Sequence, residues 1–264
     1  MLSPLYGQLS PLRVPTIAPP DADALAYIAA VEAADGATLE DGVKSAINNF
    51  VTGCKSDGIW NAIKCSCILA GARTLAGALV PLVGSAPTNN NFVSGDYDRE
   101  TGLIGNQSTK YLNSNQPENT ASSSIDSFHL AINATIVEAS SNLSYGGVYD
   151  SSISPIANSA ILTNVQFSNR GDGSGSFTKL AGLHGTSRNG NTINFRSAGS
   201  TYSITSAPNN ESSLPIYFFA RNSNGTANLL CNPRISFYSI GGTIDLAALD
   251  SRVSTLMTAL AAAI

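Results

Sequence analysis

GLHGTSRNGNTINFRSAGSTYSITSA, residues 182–207, decides the fold class. Asn189-Gly190 stands between two short runs rich in β-branched and aromatic residues. An Asn-Gly pair tolerates the positive φ that a tight hairpin turn demands, so the stretch predicts two antiparallel strands. The same grammar extends on both sides. TLAGALVPLVG, SFHLAINATIVEA, SAILTNVQF, LPIYFFARN and RISFYSIGG are short strand-like segments, separated by clusters of Asn, Gly, Ser and Pro. No helical pattern long enough for a parallel crossover interrupts residues 73–243. The expectation is therefore a mainly β, antiparallel sandwich or barrel over that range.

The flanks differ. Residues 21–72 predict a helical lead-in. Asp21 and Asp23 offer caps before ALAYIAAVEAA, in which Leu25, Ile28 and Val31 fall at helical spacing and Gly36 ends the run. A second helix is expected from about Thr38, with Val43, Ala46, Ile47, Phe50 and Val51 on one face. A third is expected in IWNAIKCSCILAGA, with Trp60 as an anchor between helices. Residues 244–264 predict a C-terminal helix capped by Thr243 or Asp245. Leu246, Leu249, Val253, Leu256 and Leu260 repeat along it at coiled-coil-like spacing. They form either a homo-oligomeric seam, with a trimer favoured, or a face docked on the chain's own N-terminal helices.

Residues 1–20 carry prolines at 4, 11, 15, 19 and 20, which exclude helix and favour an extended arm. Its apolar residues, among them Leu9, Leu12, Val14 and Ile17, are too many for an idle tail. The arm docks either on another subunit or on its own domain. It has no basic n-region and no uninterrupted apolar run, so no secretory signal is expected. The most apolar stretch, Ile68 to Val83, is broken by Arg73 and Pro81, and no membrane insertion is expected.

Composition narrows the function classes. Charged residues make up 12% of the chain, against about 25% in ordinary soluble proteins. The polar surface must therefore come from Asn, Ser, Thr and Gly, as in extracellular or virion β proteins. Net charge is −4 and the basic residues are scattered, so no nucleic-acid partner is expected. Cys54, Cys65, Cys67 and Cys231, with only His129 and His184 to join them, do not make a zinc pattern. Buried free thiols are the preferred reading, with a Cys54 disulfide to Cys65 or Cys67 left open. No metal and no cofactor are expected.

Catalytic patterns are thin. Asp96, Asp98 and Glu100 alternate, which would align three carboxylates on one strand face beside Arg99. Gly95 and Thr101-Gly102 mark a turn there instead, and no acid–nucleophile pair for glycoside hydrolysis is recognised. No nucleophile elbow occurs, and Gly173-Ser174-Gly175-Ser176 reads as a loop. Arg170-Gly171-Asp172 spells an adhesion tripeptide by coincidence. The chain is expected not to be an enzyme.

NFVSGDYDRETGLIGNQSTKYLNSN, SFHLAINAT, LHGTSRNGNTINFR, IYFFARNSNGTA and RISFYSIGGTIDLAALDSRVSTLM together resemble concanavalin A-like or laminin-G-like jelly-roll modules. The similarity is greatest to the versions carried by tailed-phage virion proteins. It covers roughly residues 25–264. It implies a virion-surface protein made in the host cytoplasm, as a tail fibre, receptor-binding module or head decoration. Contacts with other virion proteins would run through the N-terminal arm. Sugar recognition on β-sandwiches uses loop-borne amides, carboxylates, arginines and rings. The candidates for a cell-surface glycan are Tyr145, Tyr149, Asp150, His184, Arg188, Asn189 and Tyr202. Two alternatives stand beside this reading: a structural or decoration protein that binds no glycan, and a glycan-degrading enzyme.

Overall fold

The computed structural model describes residues 20–137, 143–152, 158–162, 167–171 and 180–264. The arm up to residue 19 and the Gly173–Ser176 loop lie outside the described residues. The chain opens with α1 (Ala22–Asp35), α2 (Asp41–Ser56), β1 (Ile63–Ile68), α3 (Leu75–Ala78), β2 (Pro81–Val83) and β3 (Thr88–Asn90). It continues through β4 (Tyr97–Asp98), β5 (Gly102–Ile104), β6 (Tyr111–Pro117), β7 (Ser127–Ile136), β8 (Ser144–Tyr149), β9 (Asn158–Leu162) and β10 (Phe167–Ser168). The last part holds β11 (Gly182–Asn189), β12 (Thr192–Ser197), β13 (Ser200–Thr205) and β14 (Pro215–Phe218). Then come β15 (Arg221–Ser223), β16 (Thr226–Asn228), β17 (Arg234–Gly241) and α4 (Leu246–Ala263).

Among the described residues the strands form two sheets. The first runs β13-β12-β11-β7-β17-β1-β2, with β5 and β4 attached beside β17. The second runs β10-β9-β8-β14-β6-β3, with β15 and β16 at its side. Pairings are antiparallel except for a two-residue parallel contact of β15 with β8. Asn189 pairs with Thr192 across the expected hairpin, and Gly190 takes φ +59° in its turn.

The first sheet is buried on both faces. On one side Phe128, Leu130 and Ile132 of β7 meet Leu112, Val148, Ile216 and Phe218 of the second sheet, and the Phe218 ring stacks on Tyr238 at 4.0 Å. On the other side α1, α2 and α4 cover Ala131, Leu183 and Phe237, and Phe50 meets Phe237 edge-on at 5.6 Å. Helices and sheet therefore share one core rather than forming a detached lead-in.

This double burial corrects the third expected helix. Residues 63–68 are strand β1, seated between β17 and β2. Cys65 and Cys67 point into the space between the sheets, while Ile63 and Ile68 face the helices, with an irregular register between Ile63 and Cys65. A strand with two apolar faces shows no alternation, and its run of apolar residues mimics a helix. Trp60 sits half-buried in a single 3₁₀ turn (Trp60–Ala62) rather than in a helix, packed against the helical core with Lys55 Nζ 5.5 Å above its ring. TLAGALVPLVG divides into α3 and β2 instead of forming one strand.

The other helices follow their punctuation. Asp21 accepts a hydrogen bond from the Asp23 backbone N–H at 3.0 Å, and Gly36 closes α1 at φ +65°. The second helix starts at Asp41, later than Thr38, after Glu40 in an extended conformation (ψ 145°), and Arg73 Nε bonds the Thr38 carbonyl at 2.6 Å. Asp245 caps α4, accepting from Ala247 and Ala248 N–H at 2.8 and 3.1 Å. Leu246, Leu249, Val253, Leu256 and Leu260 are all buried within the chain's own helical core. The spacing that suggested an inter-chain seam is filled from inside the same molecule.

Candidate functional site

Five of the seven ligand candidates belong to the framework. The Tyr145 and His184 rings face each other at 5.9 Å, and both residues are buried. His184 Nε2–H donates to the Leu180 carbonyl at 2.8 Å, so Nδ1 accepts the Ser197 hydroxyl at 2.9 Å. Burial pushes the His184 pKa below its ordinary value. Arg188 is fully buried. It donates to the carbonyls of Asn169 (3.0 Å from Nε), Gly190 (2.9 Å) and Ser206 (2.6 Å), clasping the hairpin from behind. Asp150 accepts from the Ser152 N–H at 3.0 Å and the Ser212 hydroxyl at 2.8 Å, and its bond from the Ser152 hydroxyl holds the carboxyl below its ordinary pKa. Tyr149 lies under the Arg221 guanidinium at 4.9 Å. The polar groups of His184, Arg188 and Asp150 are occupied by the fold.

Asn189 and Tyr202 reach the surface, but on opposite sides. Thr201 and Ser203 share the helix-side face of β13 with Asn194 and Arg196 of β12: Ser203 Oγ donates to Asn194 Oδ1 at 2.6 Å, and Arg196 Nη1 donates to Thr201 Oγ1 at 2.7 Å. Strand alternation turns Tyr202 to the other face, opposite Phe195 in the register.

A cleft of about 560 Å³ opens on the helix-side face. Its walls are the turn Asp57–Ile59 after α2, Asn189, Asn194 and Thr201 of the hairpin strands, and the linker Thr243–Ala247 into α4. The linker is held to β11 by side-chain bonds. Ser187 Oγ donates to the Ile244 carbonyl at 2.8 Å and accepts its N–H at 3.0 Å. Thr243 N–H bonds Ser127 Oγ at 2.7 Å. Below it, Arg252 grips Asp57 through two bonds of 2.6 and 2.7 Å, which lowers the Asp57 carboxyl pKa. The cleft thus presents amides, hydroxyls and two carboxylates around Ile59, Ile244 and Leu246, a lining that can exchange hydrogen bonds with a polyhydroxyl ligand while its aliphatic floor covers an apolar face. The sequence singled out Asn189 alone of these as a ligand group, with Thr243 and Asp245 named only as helix caps. Asn194 and Thr201 read as ordinary strand residues, and only the tertiary fold brings them beside the linker.

The residues weighed for catalysis are engaged elsewhere. Asp96 closes a 3₁₀ turn and pairs with Lys110. Asp98 accepts from Thr101 N–H at 2.8 Å and Glu100 N–H at 3.1 Å. The three carboxylates do not line one strand face, since β4 is only two residues long. Arg99 pairs with Glu40 at 2.8 Å rather than with them. Arg170 of the Arg-Gly-Asp tripeptide is 1% exposed and bound to Glu118, so its guanidinium is closed to an outside partner. The four cysteines are free and buried, without the disulfide left open above. Burial pushes the Cys54 and Cys65 thiols up to about 12. Among the described residues no cluster of His, Cys, Asp or Glu is arranged to hold a metal.

His129 carries a pH prediction. It is fully buried, donates from Nδ1 to the Gly242 carbonyl and accepts the Ser239 hydroxyl at Nε2 over 2.8 Å, and burial lowers its pKa to about 4. The unfolded chain, with an ordinary histidine, takes up the proton first. Stability is therefore complete above about pH 6.5 and falls as pH drops toward 4, by up to ~3 kcal/mol. Urea unfolding at pH 7 and pH 5 measures this, and His129→Gln should flatten the slope. An unchanged slope in that variant would assign the effect to other groups.

No family model matches the chain, and no curated protein matches it. Some solved structures share a slight likeness. A mutant of Trypanosoma rangeli sialidase displaying trans-sialidase activity is 10% identical at TM-score 0.43, covering 82% of this chain and 39% of the sialidase. A GH54 α-L-arabinofuranosidase is 12% identical at TM-score 0.39, covering 60% and 40%. A structure of NanB with Optactamide is 14% identical at TM-score 0.34, covering 49% and 24%. The chain spans less than half the length of each, and likenesses this slight carry no argument about fold or activity.

Proposed function

We propose that this chain is a non-enzymatic virion-surface protein of the tail-fibre or receptor-binding kind, and that the cleft between β11–β13 and the α4 linker receives a host-surface glycan. The observation that carries this reading is the convergence of Asn189, Asn194 and Thr201 on one sheet face, opposite the linker Thr243–Ala247 that closes the cleft. Preorganised amides and hydroxyls suit sugar hydroxyls, and a site on strands holds them at little entropic cost. The way the chain passes between the two sheets, at β2–β3, β3–β4, β5–β6, β6–β7, β7–β8, β10–β11, β13–β14 and β16–β17, supports a jelly-roll sandwich. The sequence resemblance to phage jelly-roll modules supports the virion setting. Attachment to other virion proteins falls to the arm, and any trimer would form through surfaces other than the buried face of α4.

A printed array of cell-surface glycans tests the proposal. The intact chain is expected to retain a subset. Asn194→Ala combined with Thr201→Val should weaken retention about tenfold, since two neutral hydrogen bonds are worth roughly 1–3 kcal/mol. No retained glycan would favour the second reading, a structural or decoration protein without a sugar site. That reading draws on one observation, the absence of an aromatic ring among the residues lining the cleft. Release of free sugar from a retained glycan would overturn both in favour of a glycan-degrading enzyme.

A further inference from the structure

A second concavity lies on the far side of the helical layer. Leu25, Ile28 and Ala29 of α1 and Ser45 and Asn48 of α2 line a groove of about 560 Å³. Leu25 is 49% exposed there. A helix that meets its core on one face normally turns polar residues outward, but α1 reads ADALAYIAAVEAAD, apolar around most of its circumference. Its inner face is spent on Ala24, Tyr27, Ile28 and Val31, yet Leu25 and Ala29 remain on the outside. The Glu32–Lys44 ion pair at 2.8 Å stands at one end of the groove. Pro20, the first described residue, stands in the wall at the other. The exit point is fixed, because Asp21 N–H bonds Asn48 Oδ1 at 2.7 Å and the Asp21 carboxylate pairs with Lys55 at 2.7 Å.

We infer that this groove is the seat of the chain's own residues Val14–Ala18. Upstream of Pro20 the sequence reads Arg13-Val-Pro-Thr-Ile-Ala-Pro19. Prolines at 15, 19 and 20 bias it to the polyproline II form, which has three residues per turn. Val14, Ile17 and Pro20 then share one face, the face that Pro20 already presents to the groove. From Leu25 to Glu32 the groove follows about 10 Å of helix, and Val14–Ala18, rising about 3.1 Å per residue, spans about 12 Å between its ends, enough to run the length of the groove. Proline lowers the entropy cost of ordering the segment. Tethering at Pro20 gives it a local concentration on the order of millimolar, which favours the chain's own arm over that of a second copy.

Trypsin cleavage at Arg13–Val14 of the full chain, followed by mass spectrometry of the released 1–13 peptide, tests the inference. Protected in the groove, that bond should be cut about tenfold more slowly than in Leu25→Asp, which places a charge in the seat. Ile17→Asp should accelerate cleavage equally and leaves α1 and α2 unaltered, so it guards against a folding defect in the first variant. Equal rates in all three proteins overturn the inference. Protection that grows with protein concentration overturns the assignment to the chain's own arm and gives the groove to the arm of a second copy.

Discussion

Deleting residues 245–264 is expected to unfold the chain, not to release monomers from an oligomer. Leu246, Leu249, Val253, Leu256 and Leu260 are each at most 4% exposed, and they complete a core with Val43, Ile47 and Phe50 of α2 and with Leu183 and Phe237 of the first sheet. Burying a side chain of this size is worth ~2 kcal/mol. Five of them amount to about 10 kcal/mol, which is comparable with the whole stability of a typical domain, roughly 5–15 kcal/mol. The deletion also removes the α4 part of the cover over Ala131 and Leu183 on the helix-side face of the first sheet. Circular dichroism with thermal melting, run beside light scattering, separates the outcomes. The expected result is a lost cooperative transition and aggregation. A truncated chain that melts cooperatively near the parent temperature, with a smaller particle mass, would restore α4 as an assembly device. A milder probe, Leu256→Ala, should cost 2–5 kcal/mol by opening a cavity.

The second large effect is expected at Glu118. Arg170 and Glu118 are both about 1% exposed and form a buried ion pair. The guanidinium also donates to Ser124 O at 3.0 Å and Ser122 Oγ at 3.2 Å and lies 4.5 Å from the Phe128 ring centre, while Glu118 Oε2 accepts the Ser212 N–H at 2.7 Å. Glu118→Ala would leave a cation in the core without its main counter-charge and an amide without its acceptor. A loss of about 3–5 kcal/mol is expected. Glu211, 3.3 Å from Arg170 and one-third exposed, moderates this toward the lower end. Replacing both partners, as Glu118→Leu with Arg170→Met, should cost less than the two single changes added together, because neither charge is then stranded. Chemical denaturation of the four proteins gives the cycle. Additive losses, or a Glu118→Ala cost below about 1 kcal/mol, would show that the pair is not coupled in this way.

The outline of the fold was legible where local chemistry and tertiary environment agree. Asn189-Gly190 marked its hairpin, Asp21, Gly36 and Asp245 marked helix ends, and the spacing of Leu249, Val253 and Leu256 marked a buried face. The central strand β1 was not legible, because burial on both faces erases the alternation that identifies a strand. The candidate site was largely illegible for a different reason. Its walls come from residues 57–59, 189–201 and 243–247, and nothing local distinguishes Asn194 or Thr243 from the many other amides and hydroxyls of a poorly charged surface. Conversely, His184, Arg188 and Asp150 looked like ligand groups because polar side chains are expected outside. Here each satisfies buried backbone or hydroxyl partners instead.

The place of β1 in the first sheet sets the order in which the molecule can be made. Ile68 pairs with Phe237, and Cys67 with Tyr238, so this strand meets its neighbour only after about 170 further residues have been synthesised. At roughly 5–20 residues per second, that is a wait on the order of 10–30 s during translation. Throughout it, β1 has only the short β2 beside it, and the sheet-facing sides of α1 and α2 wait for Phe237 and α4. The first sheet cannot be completed from the N-terminus forward, because its β1–β17 ladder waits for the end of the chain. Its yield in the cell should depend on slow elongation, low temperature or holdase chaperones more than that of a protein whose neighbours in space are neighbours in sequence.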